Sequence, residues 1–290
     1  MSKIAILTDS SCDIPQEMAE KYGIDIMSFH ILLDDVDYVE RESCTNTEFY
    51  DKMRLSKGVP SPAAITPIQF CEKYCQYVDE GYTDVIHVPI NKSGSSTYNN
   101  ALMAQGMLRE ERPEHHMKIH LLDPHTYSMV FGWYLCEMAR KLKNGAEISH
   151  VIQEFEKQMN CMEIILGPYS LKQMKKSGRI SAAAAVMGEL MGVRPIITLI
   201  DGKTKVESKV RGDDKVVPAM IELCKKRADG VENFDYMIGH TNIKQAEDLE
   251  KACRKAFGKA PLVVFELGGV VSANTGPDTV ALVYTGHLRG

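Results

Sequence analysis

The sequence predicts a two-domain α/β protein, with a parallel βαβ sheet in its first half and a mixed sheet in its second. Three observations carry that prediction. Short apolar runs alternate with helical patterns up to about residue 160, the pattern then turns strand-rich, and Asp201-Gly202 lies between two strand-like runs as a hairpin turn. At 290 residues the chain can bury a core in each of two domains, placed at 1–160 and 161–290.

In order, strands are expected at 4–7, 24–33, 84–90 and 118–122, separated by helices at 15–22, 67–80, 97–110 and 127–143. Ile4-Ala5-Ile6-Leu7 empties into Thr8-Asp9-Ser10-Ser11-Cys12-Asp13, where Asp13 or Ser11 is expected to cap the next helix. Asp9 reads as an acceptor of backbone N–H bonds that orders this loop, with magnesium ligation as the alternative. After a helix at 148–160, short strands are expected at 162–166, 194–200, 203–210, 236–240, 261–267 and 279–284. Helices at 169–176, 182–191, 213–228 and 243–258 separate several of them.

Composition excludes several classes. The net charge is −5 with both signs scattered, so no electrostatic footprint for nucleic acid or an acidic membrane surface is present. No run of about 18 to 20 apolar residues occurs, so no stable membrane insertion is expected. Met1-Ser2-Lys3 leads straight into a strand-like run, and the cytoplasm is the expected compartment. The eight cysteines form no CxxC pair and have no histidine at zinc-ligand spacing. No metal and no cofactor are expected. Cys71 and Cys75 share a helix face as two small apolar residues.

The chemistry concentrates in hydroxyl-rich loops. Asp84-Val85-Ile86-His87-Val88-Pro89-Ile90 ends in Asn91-Lys92-Ser93-Gly94-Ser95-Ser96-Thr97-Tyr98, an anion cradle at a strand end. Ser95, Ser96 or Thr97 can cap the following helix, and its first backbone N–H groups remain to meet an oxyanion. Read alone, the same hydroxyls are a helix cap that names no ligand. Lys175-Lys176-Ser177-Gly178-Arg179 sets a guanidinium before an alanine-rich helix, and Leu267-Gly268-Gly269-Val270-Val271-Ser272-Ala273-Asn274-Thr275-Gly276-Pro277 reads as another small-residue, hydroxyl-bearing loop. With the loop at 8–13 these make four, which suggests a shared site.

Taken together, Thr8-Asp9-Ser10-Ser11-Cys12-Asp13-Ile14-Pro15, Gly178-Arg179-Ile180-Ser181, Asp201-Gly202-Lys203, Val210-Arg211-Gly212 and Thr275-Gly276-Pro277 resemble the DegV family over almost the whole chain. The resemblance implies a two-domain protein holding one long-chain fatty acid in a cleft between domains. Some members are the binding subunit of a fatty acid kinase and present the carboxylate to a separate ATP-dependent subunit. On that reading Ser93, Ser95, Ser96 and Thr97 hold the carboxylate, and Arg179, Asn274 and Thr275 flank it. Two positions depart from the family. Ser61-Pro62-Ala63-Ala64 stands where a threonine-serine pair is common, so Ser61 or Thr66 is expected to supply that hydroxyl, and Asn274 replaces a histidine.

A fatty acid also suits the residues physically. Hydroxyls, free helix N–H groups and Arg179 can replace the hydration of a carboxylate. Ala183, Val186 and Met187 in the alanine-rich helix offer small and flexible side chains to the tail, though ordinary core packing explains them equally. A serine hydrolase is an alternative, but Gly94-Ser95-Ser96-Thr97 is not GxSxG and no Ser…Asp…His order stands out. A nucleotide-binding enzyme is another, and the chain lacks both GxGxxG and GxxxxGK[ST].

Overall fold

The computed structural model describes residues 3–170, 173–174 and 192–289. In chain order its elements are β1 (Ile4–Asp9), a 3-10 turn (Ser10–Cys12), α1 (Gln16–Tyr22), β2 (Ile24–Met27), β3 (His30–Leu33), β4 (Val36–Val39), α2 (Asn46–Leu55), β5 (Ser61–Ala63), α3 (Pro67–Asp79), β6 (Asp84–Val88), α4 (Thr97–Glu111), β7 (Lys118–Leu121), α5 (Met129–Lys143) and α6 (Ile148–Met159). They continue as β8 (Met162–Pro168), β9 (Val193–Ile200), β10 (Lys203–Arg211), α7 (Val216–Arg227), β11 (Tyr236–His240), α8 (Ile243–Phe257), β12 (Val264–Glu266), α9 (Gly269–Thr275) and β13 (Thr279–Thr285).

The chain divides into two compact units, Met1–His30 with Pro62–Met159, and Ile31–Ser61 with Asn160–Gly290. The stretch Ile31–Ser61 groups with the second unit.

The first unit is built on a parallel sheet of order β2-β1-β6-β7. Its two central strands read as continuous apolar runs because both faces are covered: Ala5, Ile6 and Leu7 of β1 and Val85, Ile86 and Val88 of β6 are all buried. Helices α3 and α4 pack together, as do α5 and α6, with α1 against α5. Helix α3 shows how the sequence enforces this. Thr66 and Gln69 form a reciprocal capping box, Pro67 fits the first turn, and Phe70, Tyr74 and Tyr77 recur on the buried face. His87 of β6 is wholly buried against that face, its ring 4.8 Å from Phe70 and its Nδ1 2.6 Å from the Tyr74 hydroxyl.

The second unit has a six-stranded mixed sheet of order β10-β9-β8-β13-β11-β12, antiparallel except for β11 with β12. Asp201 and Gly202 take φ of 50° and 72°, the left-handed pair that a two-residue hairpin between β9 and β10 demands. Helices α7 and α8 cover one face, with Val216, Met220, Ala246 and Leu249 packed on Ile165, Ile238 and Leu282. At the edge of that core, the carboxylate of Glu163 accepts from Arg227 Nε and from the Tyr284 hydroxyl, each at 2.6 Å.

Several expectations are corrected. The strand expected at 24–33 breaks into β2 and β3, where the Phe29 amide turns aside to donate to Ser10 Oγ at 2.9 Å. Neither Ser11 nor Asp13 caps α1, whose N-cap is Pro15. Asp9 instead caps the short 3-10 turn, and Asp13 closes it with φ 53°. Helix α5 begins at Met129 rather than 127, because Ser128 holds φ 66°. The expected loop at 267–277 contains α9.

Candidate functional site

In an open parallel sheet, ligands collect beyond the carboxyl ends of the strands where the strand order reverses. From β1 the chain moves to β2 on one side and later to β6 on the other, so the reversal lies between β1 and β6. The loops leaving these two strands are Ser10–Asp13 and Pro89–Ser96. The hydroxyl cradle expected from sequence therefore stands at the switch point of the first unit.

Buried hydrogen bonds tie the strand ends together. Asp9 receives the Ser11 amide at 3.1 Å on one oxygen and the Ile90 amide at 2.7 Å on the other. The Ser11 hydroxyl also donates to Asp9. Asp9 is thus an acceptor of backbone N–H bonds. Thr8 Oγ1 donates to the Val88 carbonyl at 2.7 Å. Among the described residues no group of three or more His, Cys, Asp or Glu could hold a metal ion.

The cradle is shaped by Asn91, whose Oδ1 accepts the Ser93 amide at 2.9 Å and whose carbonyl accepts the Gly94 amide at 3.0 Å. Ser95 Oγ and Thr97 Oγ1 share a hydrogen bond of 2.9 Å, and Ser95 Oγ accepts the Thr97 amide at 3.2 Å. Ser96 occupies the N-cap position of α4 without a side-chain cap bond. Ser93 and Ser96 are exposed, Ser95 is half-buried, and Thr97 is fully buried behind it. The start of α4 carries the positive end of the helix dipole and first-turn amides that have no preceding helical turn to bond. Donors of these kinds suit an anion. The Ser93 amide and Ser95 hydroxyl are bonded to Asn91 and Thr97, while His87, driven down to about 3 by burial, meets the Tyr74 hydroxyl.

A third loop, after β7, was not foreseen as part of this site. Asp123 accepts the Lys92 and His125 amides at 3.3 and 3.0 Å and pairs with the Lys92 ammonium at 3.4 Å. The Ser128 amide donates to the Ser11 carbonyl at 2.9 Å, and its hydroxyl donates to Asp13. The sequence signal was Pro124 followed by polar residues, hidden by the apolar helix that begins directly afterwards.

The remaining expected site residues are placed as follows. Ser61 is exposed in β5, and the Thr66 hydroxyl is committed to the capping box of α3, accepting from the Gln69 amide at 3.3 Å and donating to its Oε1 at 2.8 Å. Asn100 of α4 donates to the Ile65 carbonyl at 2.8 Å, which brings the Thr66 segment beside α4. In the second unit Asn274 Nδ2 donates to the Val270 carbonyl at 3.2 Å and Thr275 Oγ1 to the Val271 carbonyl at 3.4 Å. The N-terminus of α9 is already occupied: buried Glu40 accepts the Val270 amide at 2.8 Å. Tyr50 donates to the Leu267 carbonyl and Arg54 to the Pro277 carbonyl. Arg179, Ala183, Val186 and Met187 lie outside the described residues.

Comparison with known proteins gives the family and the fold. The family model described as "Uncharacterised protein, DegV family" matches residues 3–286. A DegV domain-containing protein of Clostridium perfringens is 28% identical over 293 residues, covering 98% of this chain and 99% of its own. A fatty acid binding DegV family protein from Streptococcus agalactiae superposes with a TM-score of 0.85 at 26% identity, over 99% of this chain and 100% of that one. A stearic acid-binding protein from Eubacterium ventriosum superposes with a TM-score of 0.88, over 99% and 98% of the two chains; at 22% identity that likeness is one of fold.

Proposed function

This chain belongs to the DegV family, and on that premise we propose that it binds one long-chain fatty acid, with the carboxylate at the Ser93–Thr97 loop, and presents it to a separate ATP-dependent kinase subunit. The observation that carries this reading is the pairing of the exposed Ser93 and Ser96 with a helix start that Ser96 leaves without a side-chain cap, at the sheet's switch point. Ser93, Ser95 and Ser96 donate to the carboxylate, while Thr97 fixes Ser95 from behind. Ser61 is the better candidate for the additional hydroxyl, because that of Thr66 is engaged in its cap. Arg179, Asn274 and Thr275 flank the headgroup, and Ala183, Val186 and Met187 line the tail.

The energetics suit a carrier. Burial of an acyl chain contributes about 0.8 kcal/mol per CH₂, so some fifteen methylenes supply about 12 kcal/mol before ordering costs. The carboxylate then needs only enough hydrogen bonds to offset its lost hydration. The chain contributes binding and orientation. In the partner's reaction a carboxylate oxygen attacks the γ-phosphorus of ATP, an acyl phosphate forms, and ADP leaves. A permanent cation at Arg179 offsets charge developing on the phosphoryl group. The cytoplasm, where ATP is available, is the compartment this role requires.

Denaturing extraction of the purified protein followed by lipid mass spectrometry tests the first part. About one fatty acid per chain is expected, and a lipid-free protein that also ignores added C14 to C18 acids overturns it. For the second part, a reconstituted reaction with kinase, ATP and fatty acid should fail with Arg179→Ala while binding largely survives. Full turnover by that variant removes Arg179 from the reaction.

A further inference from the structure

The loops at the switch point are rich in groups of the ligand's own charge. Asp9 closes β1, Asp13 follows the 3-10 turn, and Asp123 lies just beyond β7, so each of two strand ends contributes carboxyl groups. The stretches 8–15, 89–100 and 122–128 together carry one lysine and no arginine, and the lysine is Lys92. Like charge nearby disfavours an ionised group, whereas an opposite charge favours it. The one permanent cation of these loops therefore weighs heavily in whether an anion is held there.

Lys92 is anchored at its backbone and open at its head. Its amide donates to Asp123 Oδ1 at 3.3 Å, and its ammonium lies 3.4 Å from Oδ2 of the same carboxylate, which His125 Nδ1 approaches to 3.3 Å. The ammonium also stands 6.0 Å from the centre of the Tyr98 ring, in the first turn of α4. These contacts bring the charge to the start of the helix whose N-cap, Ser96, makes no side-chain cap bond. The Asp123 contact is an ion pair without a hydrogen bond, because Oδ2 is buried and, among the described residues, receives none. Asp123 thus balances the lysine's charge without taking its three N–H donors. With 54% of the lysine side chain exposed, a ligand oxygen can reach those donors from solvent.

We propose that Lys92 is a further ligand-contacting residue of this site, its ammonium donating to the bound carboxylate beside Ser93 and Ser96 and selecting an ionised headgroup over a neutral one. The assignment rests on the fatty-acid reading above and adds to it a determinant of headgroup specificity. Hydrogen bonds between charged groups are about twice as strong as neutral ones, so the lysine discriminates where the serine hydroxyls, which suit a carboxylate and an alcohol alike, do not.

Calorimetric titration of delipidated protein with hexadecanoate and with hexadecanol, which has the same tail and no carboxylate, decides the matter. Lys92→Met keeps an apolar stem and removes the charge. Hexadecanoate should bind it about tenfold more weakly or worse, and hexadecanol within about twofold of wild type. Lys92→Arg, which restores a cation, should recover most of the loss. Asp123→Asn keeps an oxygen for the two amides and removes the competing charge, so it should bind hexadecanoate at least as tightly as wild type. Unchanged hexadecanoate binding by Lys92→Met overturns the proposal. So does an equal loss for both ligands, which would make the lysine a packing residue, and so does a loss in Asp123→Asn as large as that in Lys92→Met, which would make the ion pair a brace for the loop. A wild-type protein that binds neither ligand overturns the fatty-acid reading itself, and this assignment with it.

Discussion

Both units carry a helix that begins in a hydroxyl-bearing segment, 15 residues long in α4 and 7 in α9, and they treat its polar groups in opposite ways. In the first unit Ser96 leaves the N-terminus of α4 without a side-chain cap, and Ser93 and Ser96 are exposed. In the second, Glu40 occupies the N-terminus of α9, and Ser272, Asn274 and Thr275 all donate back into their own helix. One helix start has no side-chain cap from its N-cap residue. The other is met by a buried carboxylate. Composition alone would rank the two loops as equivalent; the difference lies in where a buried carboxylate happens to be.

Glu40 offers the largest way to break that comparison. Glu40→Ala should leave a buried N–H without an acceptor and lower unfolding stability in urea by about 2 to 4 kcal/mol, whereas Glu40→Gln, which retains an acceptor oxygen, should recover most of the loss. An undiminished midpoint for the alanine variant would show that α9 does not depend on its internal anion. Next in size is an acid effect seated in the first unit. Burial holds His87 near 3 in the folded protein against 6.5 when exposed, so between those values the unfolded chain takes up a proton that the folded chain refuses. This contribution is intact above pH 6.5 and shrinks as the pH falls toward 3. Two units below 6.5 the loss should be about 2.7 kcal/mol, measured as denaturation midpoint against pH, and His87→Gln should lack that part of the slope.

Replacing Ser95 and Ser96 together with alanine sharpens the comparison from the other side. Fatty-acid affinity should fall by about 1 to 3 kcal/mol in a titration, while stability falls by about 1 to 2 kcal/mol, since the Ser95 bonds to the Thr97 amide and hydroxyl are lost. A covalent adduct of wild type with a fluorophosphonate, absent from the double variant, would instead indicate a nucleophile. The smallest effect belongs to Asn274→Ala. Its amide already donates within α9, so affinity should change by less than about 1.5 kcal/mol; a larger drop would mean that this helix does face the ligand.

The parts of this structure that sequence made legible are those whose causes are local. The run 84–90 ending in hydroxyls, the Thr66 to Gln69 capping box with Pro67, and the Asp201-Gly202 turn each contain their own reason. Helix α9 was hidden because Gly268-Gly269-Val270-Val271 has poor helical propensity. The helix is imposed by contacts from distant sequence: Glu40 accepts at its start, and Ile31 and Phe49 pack so near Gly269 that a Cβ would meet Ile31 at 2.7 Å. The pairing of Lys92 with Asp123 was invisible for a similar reason. Each reads as an ordinary polar loop residue, and only the meeting of the β6 and β7 loops sets one on the other.

Because α2 and Glu40 brace α9, the second unit is completed by two stretches made at very different times. About 200 residues separate Ser61 from Leu267, and at roughly 5 to 20 residues per second synthesis of that interval takes roughly 10 to 40 s. All four strands of the first sheet exist once Leu121 has emerged. The 31–61 excursion, with Phe49 and Tyr50 and a carboxylate destined for burial, must meanwhile wait on the ribosome without its partners. A chain halted after Met159 should therefore be cut first by protease within this excursion, and a full chain should gain protection there only when its last strands have been made.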